Sequence, residues 1–269
     1  MVIRRATFAG MFYPDNPALL KQEMDGFFED VKVSSEYKGS PLGIVSPHAG
    51  IMYSGLTSAY AYSAVNEGFS GTFVVIGPSH SGYPDCISTL SWETPLGIIE
   101  NDIVFSEVLS RYIRADNFVH RQRENSLEVQ MPFIKYRFPD AKVVSVLIGN
   151  QSRKNALSVS EAIYNTVSET KSDIIVVASS DFSHYVPESQ ARKYDIYAID
   201  ALKSLNTVEF YRRIIKEGIS ACGYGPITAM AEYCRMRGAE KGTLLNYSTS
   251  GDVTGDYLQV VGYAALAVE

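Results

Sequence analysis

The sequence is poor in cysteine, in excess positive charge and in long apolar runs. Its three cysteines include no Cys-x-x-Cys pair, which excludes a disulfide framework and a structural zinc site and fits a reducing compartment. The net charge of −6 argues against a nucleic-acid or anionic-membrane surface, because either needs a basic stripe. No apolar run approaches the roughly 20 residues that a bilayer-spanning helix needs. We therefore expect neither nucleic acid nor membrane as a partner.

The sequence also lacks the common motifs of nucleotide-dependent enzymes and serine hydrolases. The Gly223-x-Gly225 pair has neither the third glycine nor the preceding strand of a dinucleotide fingerprint, and no Gly-x-x-x-x-Gly-Lys loop occurs. No Gly-x-Ser-x-Gly elbow is present. Residues 1–7 lack the apolar core of a signal peptide, so we expect a cytoplasmic protein.

What the sequence does contain is a core-forming composition without an internal boundary. The 269 residues are 46% hydrophobic, and no linker rich in proline, serine or glycine divides them. We therefore expect a single domain over residues 1–269.

Three short apolar runs each lead to a chemically active side chain. One run ends just before His48, one just before His80, and one just before Asp181, with His184 three residues later. Such runs are typical of strands that are covered on both faces of a parallel sheet. Ligands bind at the carboxyl ends of these strands, so we expect one shared pocket.

The segment between the first two of these strands predicts a helix over residues 55–66, which completes a β-α-β unit. Such units make their two strands parallel, so His48 and His80 are predicted at the same edge of the sheet. Further helices are predicted over residues 17–30, 102–113, 126–138, 154–169, two within 187–218, and one ending near 237; further strands over 142–148, 243–248 and 258–268, with shorter ones within 86–99. The predicted fold is α/β, with a central, largely parallel or mixed sheet flanked by helices.

Two pairs of residues are candidates for the chemistry. Neutral imidazole is a common ligand of transition metals, so His48 and His80 on neighbouring strand ends predict metal binding or catalysis, with loop capping as the structural alternative. Asp181 and His184 can share a turn and supply a ligand, an orienting group or a general acid/base. The alternative for Asp181 is the cap of a helical turn.

Cys222 lies in a glycine-rich loop that precedes a predicted helix. A helix N-terminus favours the thiolate, which is the form that binds metal. The remaining titratable or polar residues receive structural interpretations: packing for Cys86 and Cys234, an exposed loop for His120, and a helix start for Glu124, Glu128 and Gln130.

Several motifs follow one another along the chain: Arg5 to Tyr13, Pro47-His48-Ala-Gly50 with Tyr53 and Gly55, Gly77-Pro-Ser-His80, Ser179-Ser-Asp-Phe-Ser-His184, Ile219-Ser-Ala-Cys222-Gly with Pro226, and Leu245-Asn-Tyr247. Taken in this order, they resemble the motifs of the Memo family, which includes the mediator of ErbB2-driven cell motility and the AmmeMemoRadiSam system protein B. The resemblance covers nearly the whole chain.

The resemblance implies a fold similar to that of class III extradiol dioxygenases. It also implies that His48, His80 and Cys222 are metal ligands and that Asp181 and His184 lie beside them. The dioxygenases bind iron with two histidines and a glutamate, whereas the third position here is the softer cysteine, so iron, copper and zinc are all compatible. A radical-SAM protein of the same system is implied as a partner.

One departure from the family pattern concerns catalysis. The chain has Glu124-Asn125-Ser126-Leu-Glu128 where the family commonly has Glu-His-Ser-x-Glu. If that histidine is an acid/base in the pocket, Asn125 alters or removes the step.

Three functions follow from these features. The first is a metal-binding protein, with iron or copper before zinc, that performs redox or oxygen chemistry on a small molecule. The second is a non-catalytic module that binds a peptide or protein in the same pocket. The third is a metal-dependent hydrolase. The sequence is compatible with a homo-oligomer.

Overall fold

The computed structural model describes residues 2–31 and 39–269, and it has the α/β architecture that the sequence predicts. The strands are β1 (Ile3–Arg4), β2 (Gly43–Ser46), β3 (Thr72–Pro78), β4 (Cys86–Ser88), β5 (Ser91–Thr94), β6 (Gly97–Ile99), β7 (Lys142–Ile148), β8 (Ile174–Ser179), β9 (His184–Val186), β10 (Gly242–Thr249) and β11 (Val260–Val268). The helices are α1 (Pro17–Glu29), α2 (Ile51–Ser63), α3 (Ile103–Leu109), α4 (Asn125–Glu128), α5 (Gln130–Arg137), α6 (Arg153–Thr170), α7 (Glu188–Asp200), α8 (Thr207–Glu217), α9 (Tyr224–Met236) and α10 (Gly251–Thr254).

Most of the described strands form one large mixed sheet in the order β10-β11-β2-β8-β3-β7-β4, with β9 paired to β11. The central strands β2, β8, β3 and β7 are parallel, whereas β10, β11 and β4 run antiparallel to their neighbours. The central strands are almost entirely buried and rich in valine and isoleucine, because both faces of the sheet are covered. A small sheet, β1-β5-β6, contains the predicted hairpin near Trp92.

Helices pack on both faces of the large sheet. On one face α1, α2 and α5 bury Leu20, Tyr62 and Phe133 in a core that also includes Trp92 of β5. On the other face α3, α6, α7, α8 and α9 form the second core. The helices of residues 2–31 and 39–269 are too short or too polar to cross a bilayer.

The predicted β-α-β unit is confirmed and determines where the candidate residues lie. Strand β8 is inserted between β2 and β3 and is parallel to both. Its register places Ser179 opposite Ser46 and Ala178 opposite Ile76. The three strands therefore end at about the same level, and the loops that follow them meet at one edge of the sheet.

Two local details differ from the sequence predictions. The helix predicted over 126–138 is divided into α4 and α5, and Pro132 lies in the first turn of α5, where a missing backbone N–H is tolerated. Residues 249–256, for which the polar sequence predicts a loop, contain the short helix α10. The sequence also predicts a polar connector over residues 32–40, of which 32–38 lie outside the described residues.

Candidate metal centre

His48 follows β2 and is the most deeply buried histidine of the site, with 1% of its surface exposed. Its backbone N–H donates to Asp181 Oδ1 at 2.9 Å, and its ring Nδ1 lies 2.9 Å from Ser179 Oγ. Its Nε2 lies 3.2 Å from Cys222 Sγ. Burial lowers the pKa of His48 to about 4, so the ring is neutral at physiological pH, as a metal ligand must be.

His80 follows β3 and faces His48, with ring centroids 5.2 Å apart and ring planes at 77°. Glu124 accepts hydrogen bonds from His80 Nδ1 at 2.7 Å and from the His80 backbone N–H at 2.8 Å. The side-chain hydrogen bond to Glu124 raises the pKa of His80. A carboxylate accepts only, so Nδ1 carries the ring proton and Nε2 is the nitrogen left for a ligand bond.

Cys222 lies in the loop before α9, and its thiol comes close to the ends of both β2 and β8. Its Sγ accepts from the Asp181 backbone N–H at 3.2 Å, and Gln151 Nε2 donates to its carbonyl at 2.7 Å. Burial, and after it the charge of Asp181, raises the pKa of the thiol. The direction is opposite to the one expected from the helix N-terminus, because burial disfavours the charged thiolate in the metal-free protein. A bound cation acts in the opposite direction and favours the thiolate.

Asp181 and His184 complete the cluster from the loop after β8. Asp181 Oδ1 accepts from the backbone N–H groups of His48 and Ala49, and its other oxygen lies 4.0 Å from His48 Nε2. The carboxylate thus orients the His48 loop instead of capping a helical turn. His184 Nδ1 donates to the Ser220 carbonyl at 2.9 Å, which again leaves Nε2 available.

Two overlapping sets of donors result among the described residues. The ligand atoms of His48, His80 and Cys222 all lie within 4.8 Å of one another, and so do those of Asp181, His184 and Cys222. Imidazole nitrogens with a sulfur suit zinc, copper and iron and do not suit magnesium or calcium. The donor chemistry therefore fits a transition metal.

An open cavity of about 420 Å³ lies over the cluster. Its lining adds Phe12, Tyr53, Asn125, Tyr185 and Tyr263 to the three histidines and Asp181. Tyr185 has a φ of 56°, which is unusual for a residue with a side chain, and it is 72% exposed. Strained backbone of this kind concentrates at ligand sites. A small molecule or an extended side chain fits this space.

Residues that the sequence interpretation assigned to a helix start have specific contacts with the site. Glu124 positions His80, and Gln130 Nε2 donates to Ser179 Oγ at 2.8 Å and to the Pro47 carbonyl at 2.8 Å. Asn125 Nδ2 donates to the His48 carbonyl at 3.2 Å and lines the cavity, at the position where the family pattern has histidine. In the sequence, the signal that could have pointed to Glu124 and Gln130 as site residues is their closeness to Asn125, the one departure from the family pattern.

The remaining candidates lie away from the site. Cys86 and Cys234 are buried in the two cores, as expected. His120 is only 3% exposed, so its assignment to an exposed loop is wrong. Its polar sequence neighbours suggested solvent, but the 3₁₀ turn Val119–Arg121 directs its ring inward, where Nε2 lies 3.3 Å from the Cys86 carbonyl.

Comparison with known proteins supports the family resemblance that the motifs indicate. Residues 4–267 match the family model described as Memo-like protein. The chain is 41% identical over 271 residues to a MEMO1 family protein of Methanosarcina barkeri, with 99% of this chain and 100% of the relative covered. It is 39% identical over 266 residues to a MEMO1 family protein of Archaeoglobus fulgidus, with 98% of each covered.

A solved structure shows a similar fold. It is an uncharacterized protein of Escherichia coli K12, which superposes with a TM-score of 0.53 over 84% of this chain and 98% of its own at 12% identity. At that identity the likeness concerns the fold alone. The family match and the curated relatives extend over nearly the full chain, and the chain therefore belongs to the Memo family.

Proposed function

We propose that this chain binds a transition metal ion through His48, His80 and Cys222 and uses it for redox or oxygen chemistry on a small molecule. Asp181 and His184 would serve as additional ligands or as the acid/base. Iron and copper are the preferred ions, and zinc is the redox-inert alternative. We place the activity in the cytoplasm, where a free thiol persists.

The observation that carries this proposal is the shared orientation of the imidazoles. His80 Nδ1 donates a hydrogen bond to Glu124, and His184 Nδ1 donates one to the Ser220 carbonyl. In both rings Nε2 is therefore the available ligand atom. The Nε2 atom of His48 already lies 3.2 Å from Cys222 Sγ. Metal-binding histidines typically hydrogen-bond through their other nitrogen, which fixes the tautomer and the ring orientation.

The side chains around the cluster define what the cavity can hold. A bound iron or copper ion would supply electron transfer or oxygen activation. The aromatic rings of Phe12, Tyr53 and Tyr263 offer flat apolar contacts, and Asp181 contributes negative charge. These groups favour a neutral or cationic ligand with an apolar face. His184 Nε2 is free to accept a proton from such a ligand.

Metal content tests the proposal directly. The protein, purified without chelators or affinity tags, is analysed by mass spectrometry and then reconstituted anaerobically with iron(II), copper(I) or zinc(II). We expect about one tightly bound ion per chain, lost in His80→Ala and Cys222→Ala. His120→Gln and Cys234→Ala are matched controls, because these residues lie outside the cluster, and both should bind metal normally. Equal binding by the site variants and the controls would refute the assignment.

A second candidate function is supported by the apolar rim of the cavity. Tyr185 and Tyr53 line this cavity, and they are 72% and 38% exposed. Exposed apolar side chains beside a cavity are typical of a surface that binds a peptide or a protein. The radical-SAM protein implied by the resemblance is the partner to test, and Asn125 in place of a titratable histidine also favours binding without turnover.

Two measurements separate the candidates. Binding of a partner that Tyr185→Ser abolishes, with no substrate consumed in the presence of metal and oxygen, would favour the binding module. Activity of the zinc-loaded protein would favour a hydrolase, because zinc has no redox chemistry.

A further inference from the structure

The three histidines of the cluster differ in the group that faces Nδ1. His80 faces the Glu124 carboxylate and His184 faces the Ser220 carbonyl, and both groups can only accept a hydrogen bond. His48 faces the Ser179 hydroxyl, which can donate or accept. The tautomer of His48 is therefore not determined by Ser179 alone.

The surroundings of Ser179 remove this ambiguity. The Ser179 hydroxyl donates its one proton to the Ser126 carbonyl. Gln130 lies on another side of Ser179, and the Gln130 atom 2.8 Å from the Pro47 carbonyl must be the amide nitrogen, because a carbonyl only accepts. The same nitrogen donates to Ser179 Oγ at 2.8 Å, and Tyr62 donates to Gln130 Oε1 at 2.9 Å.

With its proton used and one lone pair filled, Ser179 can only accept from His48. Ser126, Gln130 and Ser179 are completely buried, so no solvent competes for these hydrogen bonds. We propose that Ser179, oriented by the Ser126 carbonyl and Gln130, is a positioning residue that holds His48 as the Nδ1-protonated tautomer. This inference rests on the proposed metal site, because the tautomer matters through the ligand nitrogen that it leaves free.

The opposite tautomer has acceptors of its own, which is why a positioning residue is needed. A proton on Nε2 would face Cys222 Sγ at 3.2 Å and an Asp181 oxygen at 4.0 Å. Without Ser179, these two acceptors would favour the Nε2-protonated ring. That proton would then occupy the nitrogen that a metal ion requires.

The test combines a tautomer measurement with a metal affinity. Long-range proton–nitrogen spectra of the metal-free protein, labelled with ¹⁵N-histidine and recorded at slightly alkaline pH, distinguish the two tautomers of each neutral ring. Zinc(II) affinity is measured separately by competition with a chelator. We expect Nδ1-protonated His48 in the unaltered protein, Nε2-protonated His48 in Ser179→Ala, and a fall in zinc affinity of about 10–100-fold in that variant.

Ser46→Ala is the matched control. Ser46 is directly opposite Ser179 in the register, is equally buried, and has a hydroxyl without a hydrogen-bond partner among the described residues. Ser46→Ala should change neither the tautomer of His48 nor the zinc affinity. Ser179→Thr retains the hydroxyl and should keep the tautomer, which provides a test if Ser179→Ala does not fold.

The tautomer result stands apart from metal binding. Nε2-protonated His48 in the unaltered protein, or an unchanged tautomer in Ser179→Ala, would overturn the inference even if metal binds. Absence of metal binding in the unaltered protein would overturn the proposed function, while the spectra of the metal-free protein would still decide the role of Ser179.

Discussion

Glu124 and Glu128 lie one helical turn apart, at either end of α4, and they act on different parts of the molecule. Glu124 binds His80, which lines the cavity and whose side chain is 42% exposed. Glu128 is completely buried and forms an ion pair with Arg4. Glu128 also accepts hydrogen bonds from Thr7 Oγ1, the Phe8 backbone N–H and Tyr13 Oη.

The difference shows that one short segment serves the site and the fold at once. Glu124 orients a group that can bind a ligand, whereas Glu128 attaches the N-terminal segment to the core. His120 also supports the fold, because its backbone carbonyl accepts a hydrogen bond from Arg4 Nε at 2.6 Å. A substitution in this segment can therefore abolish activity by two routes, and metal affinity and stability must be measured separately.

The largest expected effect is that of Glu128→Gln on stability. The substitution leaves the Arg4 guanidinium buried without a countercharge, which typically costs about 3–5 kcal/mol of unfolding free energy. Urea unfolding of the metal-free protein measures this loss. Glu93→Gln is the control: Glu93 pairs with Arg5, whose side chain is 79% exposed, so the loss should stay below about 1 kcal/mol. Equal losses in the two variants would contradict the structural role of Glu128.

The pH dependence of stability in His120→Gln tests whether His120 belongs to the part of the segment that supports the fold. Burial lowers the pKa of His120 from 6.5 to about 4. Between these values the unfolded chain binds a proton that the folded protein does not, so stability falls as the pH is lowered through this range. By about pH 4 this proton uptake lowers the free energy of unfolding by about 3 kcal/mol.

Glutamine keeps a donor for the Cys86 carbonyl and does not titrate in this range. We expect the loss of stability between neutral pH and about pH 4 to be smaller in His120→Gln by up to about 3 kcal/mol. Some acid sensitivity should remain, because His48 has a similarly lowered pKa. Identical pH profiles for the variant and the unaltered protein would show that His120 is not a buried neutral ring.

Glu124→Gln should lower zinc affinity more than stability, which is the opposite of the effect expected for Glu128→Gln. Glutamine keeps an acceptor for His80 Nδ1 but removes the charge that makes the imidazole a stronger ligand, so zinc affinity should fall by about 10-fold. The loss of stability should be smaller than in Glu128→Gln. Unchanged affinity together with a loss of stability as large as that of Glu128→Gln would erase the distinction between the two glutamates.

The sequence was sufficient to predict the arrangement of the strand ends. Apolar runs that stop at His48, His80 and Asp181 predicted parallel strands with a shared edge, because the β-α-β connection leaves little choice of direction. The Cys222 loop was placed near them only through the family resemblance. Local pattern and topology thus account for the side chains that follow the three strands, but not for Cys222.

The groups that orient these residues were not predictable in the same way. Gln130 and Ser179 are 49 positions apart, and Glu124 and His80 are 44 apart, so their hydrogen bonds depend on how α4 and α5 are placed against the sheet. An acid at a helix start has the same local pattern whether it caps the helix or binds a histidine. The raised pKa of the Cys222 thiol could not be predicted for a related reason, because burial depends on the folded environment and not on the local sequence.

Asn125→Ala is the smallest expected change and the finest test of the comparison, because Asn125 is adjacent to Glu124 and also lines the cavity. Its amide donates to the His48 carbonyl and not to a ring nitrogen, so the variant should lose about 0.5–1.5 kcal/mol of stability. Zinc affinity should change by less than about tenfold, because neither the tautomer nor the basicity of a ligand depends on this bond. A loss of affinity as large as that of Glu124→Gln would mean that the His48 backbone, and not only its ring, must be held in place for metal to bind.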